Sequence, residues 1–216
     1  MNIRTTLITS SLIAASLVSG AAHAALEGRD LNGSIGSFEA YYDTDLDITW
    51  LANANNGQRN WADANTWAAN LSFTDGVNVY DNWRLPTARN QDGTGPCFGT
   101  NFSHGCAGSE MGHLFYSELG GTAGKSILTS TDTDLAKFTN LQANYYWSAT
   151  ESAFSTSSAW DFSFHLGSQA GSIKSSGLDV LAVSPGDVGA VPEAESWAML
   201  LAGLGLVGAA TRRRRG

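Results

Sequence analysis

Tyr41-Tyr42-Asp43-Thr44-Asp45-Leu46-Asp47-Ile48-Thr49-Trp50 alternates without a break. Tyr42, Thr44, Leu46, Ile48 and Trp50 fall on one side of a two-residue period, and Tyr41, Asp43, Asp45, Asp47 and Thr49 on the other. That is the pattern of a half-buried strand. It predicts one strand over 41–50 with three carboxylates along one face. Three spaced aspartates raise the question of calcium. An EF-hand loop counted from Asp43 needs Gly at its sixth place and Glu at its twelfth, and those places hold Ile48 and Ala54. A solvated strand face is the reading kept.

Downstream, the period changes. Asn60 can cap a helix running to Leu71, with Asp63 in the first turn where the helix dipole favours it. Trp61, Ala64, Ala68 and Leu71 share one face at spacings of three and four. Trp83-Arg84-Leu85-Pro86-Thr87 is extended, because Pro86 drives Leu85 out of helical geometry. Residues 89–108 are rich in Gly, Asn and Asp and read as a surface loop. Ser109 caps a second helix whose apolar face is Met111, Leu114, Phe115 and Leu119, with Gly120 ending it. The last third reads as strands. Tyr145–Glu151 is aromatic-rich, Trp160, Phe162, Phe164 and Leu166 alternate with Asp161, Ser163 and His165, Gly167–Gly171 reads as a turn, and Leu178–Val183 supplies a final apolar strand. Two helices, antiparallel strands and a first strand able to pair with the last predict a compact α+β domain.

Cys97 and Cys106 are the only cysteines, with eight residues between them. In an exported chain a close pair of this kind reads as a disulfide, stabilising by roughly 2–3 kcal/mol. CxxC spacing is absent, and His104 beside them does not complete a zinc set. His113 and His165 read as residues of a helix surface and a strand face, so neither a metal nor any other cofactor is expected. Gly120–Ser126, GGTAGKS, fails as a phosphate loop, since the first glycine of that pattern would have to stand at Leu119. No GxSxG nucleophile elbow occurs.

The two ends carry a different kind of message. Arg4, an apolar run over Leu7–Ala22 and the small-x-small pattern Ala22-His23-Ala24 form a secretory signal peptide over 1–24, with cleavage expected after Ala24. At the other end, Val191-Pro192-Glu193 precedes an apolar run over 197–210 that begins at Trp197 and contains Leu200, Leu201, Leu204, Leu206 and Val207. Arg212, Arg213, Arg214 and Arg215 follow and would stay on the cytoplasmic side. The run is short for a stable span and holds three glycines, so a temporary membrane hold suits it better than a permanent anchor. Residues 189–216 resemble the PEP-CTERM sorting signal, with Ala194 standing where that motif has its second Pro. The resemblance implies processing by an exosortase at the inner membrane of a Gram-negative bacterium, then delivery to the cell surface or extracellular matrix.

Residues 25–188 remain as one domain of ordinary size. Before Glu193 the mature chain holds seven basic and eighteen acidic residues, a net charge near −11. This excludes nucleic acid as a partner, because phosphates call for a basic surface. DITWLANAN, NWADANTWAANL, WRLPT, GSEMGHLFYSELGG, NYYWSATE, AWDFSFHLG and AVSPGD, in this order, resemble the Lcl C-terminal domain family, with Ser184 in place of an arginine common in the closing word. The resemblance implies a C-type-lectin-like fold, similar also to the formylglycine-generating enzymes. Those enzymes use reactive cysteines late in the domain and copper, and no cysteine follows Cys106 here. No catalytic residue is therefore expected. The expected role is a non-catalytic module binding extracellular polysaccharide or matrix, with Asn144, Tyr146, Glu151, Trp160 and Asp161 as ligand candidates. A surface hydrolase using Glu151 and Asp161 is the alternative, and needs their carboxyls roughly 5–10 Å apart across a cleft. A structural biofilm component is the third reading.

Overall fold

The computed structural model describes residues 26–34, 36–97 and 105–189. The signal peptide expected over 1–24, the sorting motif Val191–Glu193, the apolar run over 197–210 and Arg212–Arg215 lie outside the described residues. Among the described residues no helix is long and apolar enough to cross a membrane.

The expected single strand over 41–50 is a hairpin. Strands β1 (Leu26–Arg29), β2 (Ala40–Asp43) and β3 (Ile48–Leu51) are successive antiparallel neighbours, and residues 44–47 turn the chain between the last two. A period of two cannot tell one strand from two short ones joined by an even-length turn. The aspartates make the difference. Asp43 Oδ1 accepts from the backbone N–H groups of Asp45 and Leu46, at 3.1 and 3.0 Å, folding the chain back on itself. Asp47 takes a left-handed φ of 50°, a region that aspartate tolerates and β-branched residues do not. The sheet is completed by β9 (Val183–Pro185), which pairs with β3 in the register Ile48–Pro185.

The two helices are α1 (Trp61–Ala69) and α2 (Glu110–His113). Asn60 caps α1 as expected, its side chain accepting from Asp63 N at 3.0 Å. Ala64 and Ala68 are wholly buried against Trp147, Leu85, Ala159 and Val180. Ser109 caps α2 through Gly112 N, but the long second helix is not regular. After His113 the chain widens into a π-helical turn, Leu114–Glu118, in which Leu119 N donates to Leu114 O at 2.9 Å.

A two-stranded ribbon, β4 (Phe73–Thr74) with β5 (Val79–Tyr80), precedes the extended Trp83–Thr87 segment. Arg84 pairs its backbone with Val183 and grips Glu110 with both guanidinium arms, at 2.8 and 2.6 Å. That bidentate ion pair docks the segment onto the first turn of α2. The second sheet is an antiparallel meander of β6 (Tyr145–Glu151), β7 (Ser158–Ser163) and β8 (Ser168–Ile173). Strand β7 stops before Phe164, and the turn comes at 164–167, so 168–171 belong to a strand rather than to the turn expected there. In place of a continuous strand over 178–183, isolated bridges at Leu178 and Asp179 lead to the short β9.

One aromatic cluster joins the meander to the π-helical turn. Phe115 meets Phe162 and Phe164 at centroid distances of 5.7 and 6.0 Å, and Tyr146 meets Phe164 edge-on at 5.0 Å. Such pairs each add roughly 0.5–1.5 kcal/mol beyond the area they bury. The molecule is thus a mixed fold of two helices and antiparallel sheets, as the residue pattern predicts. Cys97 and Cys106 form the expected disulfide, with Cα atoms 5.6 Å apart.

Candidate functional site

The five residues proposed from sequence do not make a common surface. Tyr146 and Trp160 lie in the interior, and Asp161 is 1 % exposed. Tyr146 belongs to the core, and its hydroxyl accepts from Gln142 N at 2.9 Å. Asn144 donates to Asp179 at 2.9 Å. Glu151 is exposed and pairs with Lys174. Alternation marked the right strands, but it cannot say which face of a sheet is covered by a second layer, and here both are covered along most of β7. Neither Glu151 nor Asp161 lines the two clefts described below.

Tyr145 and Phe154, on and just after β6, reach solvent, and so does Phe38, which stands elsewhere beside a cleft. A cleft of about 420 Å³ opens between the first sheet and the chain leading to Thr139, lined by Phe38, Glu39, Tyr41, Asn53, Asn56, Phe73 and Lys137 among others. Phe38 is 54 % exposed, and its ring lies directly over Gly28, so closely that a side chain there would collide with it. Phe38 and Tyr41 meet edge-on at 6.1 Å. Lys137 stands over the Tyr41 ring at 5.8 Å while donating to Leu26 O and pairing with Asp134. Burial, with the nearby Asp134 carboxylate, raises the Tyr41 phenol above its ordinary value. Asn53 and Asn56 are locked together. Asn53 donates to Asn56 Oδ1 at 3.0 Å and Asn56 donates to Asn53 O at 2.9 Å, while Asn140 donates to Asn53 Oδ1. Each amide nitrogen keeps a second proton for a ligand. An apolar wall with a few fixed polar groups is the usual form of a small-molecule site.

A second group of chemistry-bearing residues is enclosed beneath the first sheet. Asp43 from β2, His113 from the end of α2 and Glu118 from the end of the π-helical turn bring one ligand-type atom each to within 4.8 Å of one another. His113 is not the helix-surface residue expected from sequence. Its side chain is 12 % exposed, and its Nε2 stands 3.1 Å from Glu118 Oε1 and 3.9 Å from Asp43 Oδ1. Burial works against its charge, but the Glu118 bond and the Asp43, Glu118 and Asp45 carboxylates outweigh it and raise its pKa. Burial also raises Asp43 above the ordinary carboxylate range, against the opposing pull of Trp50, Leu46 and His113. A spacing of five hid this group. Residues five apart on an α-helix point roughly 140° away from each other, and only the wider turn stacks Glu118 over His113. His165, by contrast, is exposed and sits in the turn after β7.

Residues 190–215 match the PEP-CTERM protein-sorting motif. No curated protein matches the chain.

Proposed function

We propose that this chain is a cell-surface protein, sorted by an exosortase, whose mature domain is a non-catalytic module for extracellular polysaccharide. The matched sorting motif supports export through the cell envelope toward the surface and handling by an exosortase. The signal peptide over 1–24, the transient membrane helix over 197–210 and the C-type-lectin-like kinship inferred from the motif order belong to the same proposal. The polysaccharide reading is carried by one observation. On an acidic exported domain, the cleft at Phe38 and Tyr41 sets the exposed Phe38 ring and the half-buried Tyr41 ring beside paired asparagine amides. Aromatic faces take the apolar side of a sugar ring, and amides take its hydroxyls.

The non-catalytic reading is supported by the settings of the two carboxylates suggested for hydrolysis. Asp161 is enclosed within the sheet, while Glu151 is held at the surface by Lys174. The direct test is titration of the mature protein with the exopolysaccharide of its own cell. Binding by the wild-type chain, weakened at least about tenfold in Phe38→Ala, is the expected result. No measurable binding to that polymer, or equal binding by Phe38→Ala, overturns the assignment.

A further inference from the structure

We propose that Asp43, His113 and Glu118 form a binding site for a single divalent transition-metal cation of the Zn²⁺ type. The group joins two parts of the fold that are distant in sequence, the β2–β3 hairpin and the α2–π-helical segment.

Hydrogen bonding alone leaves the cluster incomplete. Glu118 Oε1 meets the imidazole, but Glu118 Oε2, on a side chain 1 % exposed, has no hydrogen-bond partner among the described residues. Buried carboxylate oxygens are ordinarily satisfied, because the water they gave up must be replaced. Charge is unbalanced as well. Two carboxylates face one imidazole, and among the described residues no lysine or arginine pairs with either of them. Enclosing two carboxylates beside one imidazole is costly without a compensating cation. A divalent ion held by both Glu118 oxygens supplies a compensating charge and a partner for Oε2.

The geometry suits a small cation. Donor atoms around Zn²⁺ stand roughly 3–3.5 Å apart. The imidazole and Glu118 oxygen already have that spacing at 3.1 Å, and the 3.9 Å to Asp43 closes with a small side-chain adjustment. Asp43 is aimed by its neighbours, since Oδ2 accepts from Trp50 Nε1 at 3.2 Å and Oδ1 from two backbone amides. Outer partners of this kind fix a metal ligand's orientation. One nitrogen and carboxylate oxygens, with both cysteines committed to a disulfide, point away from thiolate-bound metals, and the imidazole disfavours calcium and magnesium. His113 also lines a cleft of about 590 Å³ together with Asn90, Asp92 and the disulfide. That cleft provides an approach for the ion and for water completing its coordination.

The test uses the exported protein stripped with a chelator and titrated with ZnCl₂ by calorimetry and thermal melting. One Zn²⁺ per chain is expected, with a melting temperature higher by about 5–10 °C at a hundredfold excess over Kd. Zinc-edge absorption should report one imidazole among oxygen ligands. Glu118→Gln and His113→Gln should each weaken binding at least about tenfold. Asp92→Asn, on the cleft wall outside the cluster, should leave it unchanged. Because Glu118→Gln removes an enclosed charge with little change of shape, its metal-free melting point should equal or exceed that of the stripped wild type. Absence of saturable Zn²⁺ binding by the folded wild type overturns the proposal, as does binding that both variants retain. Should a variant not fold, the wild-type absorption spectrum decides, and a shell of sulfur or of water alone refutes the site. The polysaccharide titration uses a different cleft, so either assignment can fail without the other.

Discussion

Asp161 was singled out from sequence as a surface ligand, and the fold instead encloses its carboxylate between strands. Among the described residues neither oxygen stands in hydrogen-bonding geometry with a donor. Burial pushes the group from its ordinary 3.8 up to about 6, and the nearby Ser172 hydroxyl offsets only part of that. The native state therefore holds this proton more tightly than the unfolded chain. Between those two values the unfolded state binds fewer protons, so stability falls as pH rises, and the loss is complete above about 6. Two units correspond to roughly 3 kcal/mol. Urea unfolding between pH 4 and pH 7 should show wild type losing stability relative to Asp161→Asn by about that amount; parallel curves would mean that the carboxylate is solvated. Asp43 teaches the same lesson from the other side. Its residue type and its place in an alternating run were legible, but its burial and its bond to Trp50 depend on a turn that alternation could not reveal.

At the scale of elements, local signals identified the helix starts well and their continuation poorly. Asn60 and Ser109 both cap helices, because a side-chain acceptor ahead of an apolar period is a local chemical fact. The shift from α2 into a π-helical turn is not local. There Phe115 packs against Phe162 of β7, and the Cys106 backbone lies against the first turn of α2. Gly112 marks that contact. A Cβ at this position would stand 1.7 Å from the Cys106 carbonyl oxygen, a backbone atom that cannot swing aside. Gly112→Ala should accordingly cost about 3 kcal/mol or more, read as a lower denaturation midpoint. An unchanged midpoint would show that the Cys106 backbone does not lie against the helix. Helical periodicity places Gly112 simply within a helix, since close approach of another stretch of backbone leaves no mark in that period.

For the whole molecule, the proposed reading divides the polypeptide into two end signals and a folded body, and the C-terminal signal is matched as a sorting motif. Mass spectrometry of the mature protein's two ends tests that division. An N-terminus at Ala25 and a C-terminus upstream of Trp197 are expected; an intact chain retaining Met1 and Arg215 would contradict it. The C-terminal sorting motif, the disulfide, the mixed α and β character and the acidic net charge were all open to reading from sequence, because each depends on composition, on spacing along the chain or on a contiguous signal. Which aromatic rings face water, which carboxylates are enclosed and which distant side chains meet were decided by tertiary packing alone. Phe38 and Tyr41 gain their neighbours across a sheet edge, and Asp43 meets His113 and Glu118 across some seventy positions of intervening chain. Periodicity reports only the neighbours a residue has along its own strand or helix, whereas a site arises where separate elements are pressed together by the burial of the core between them.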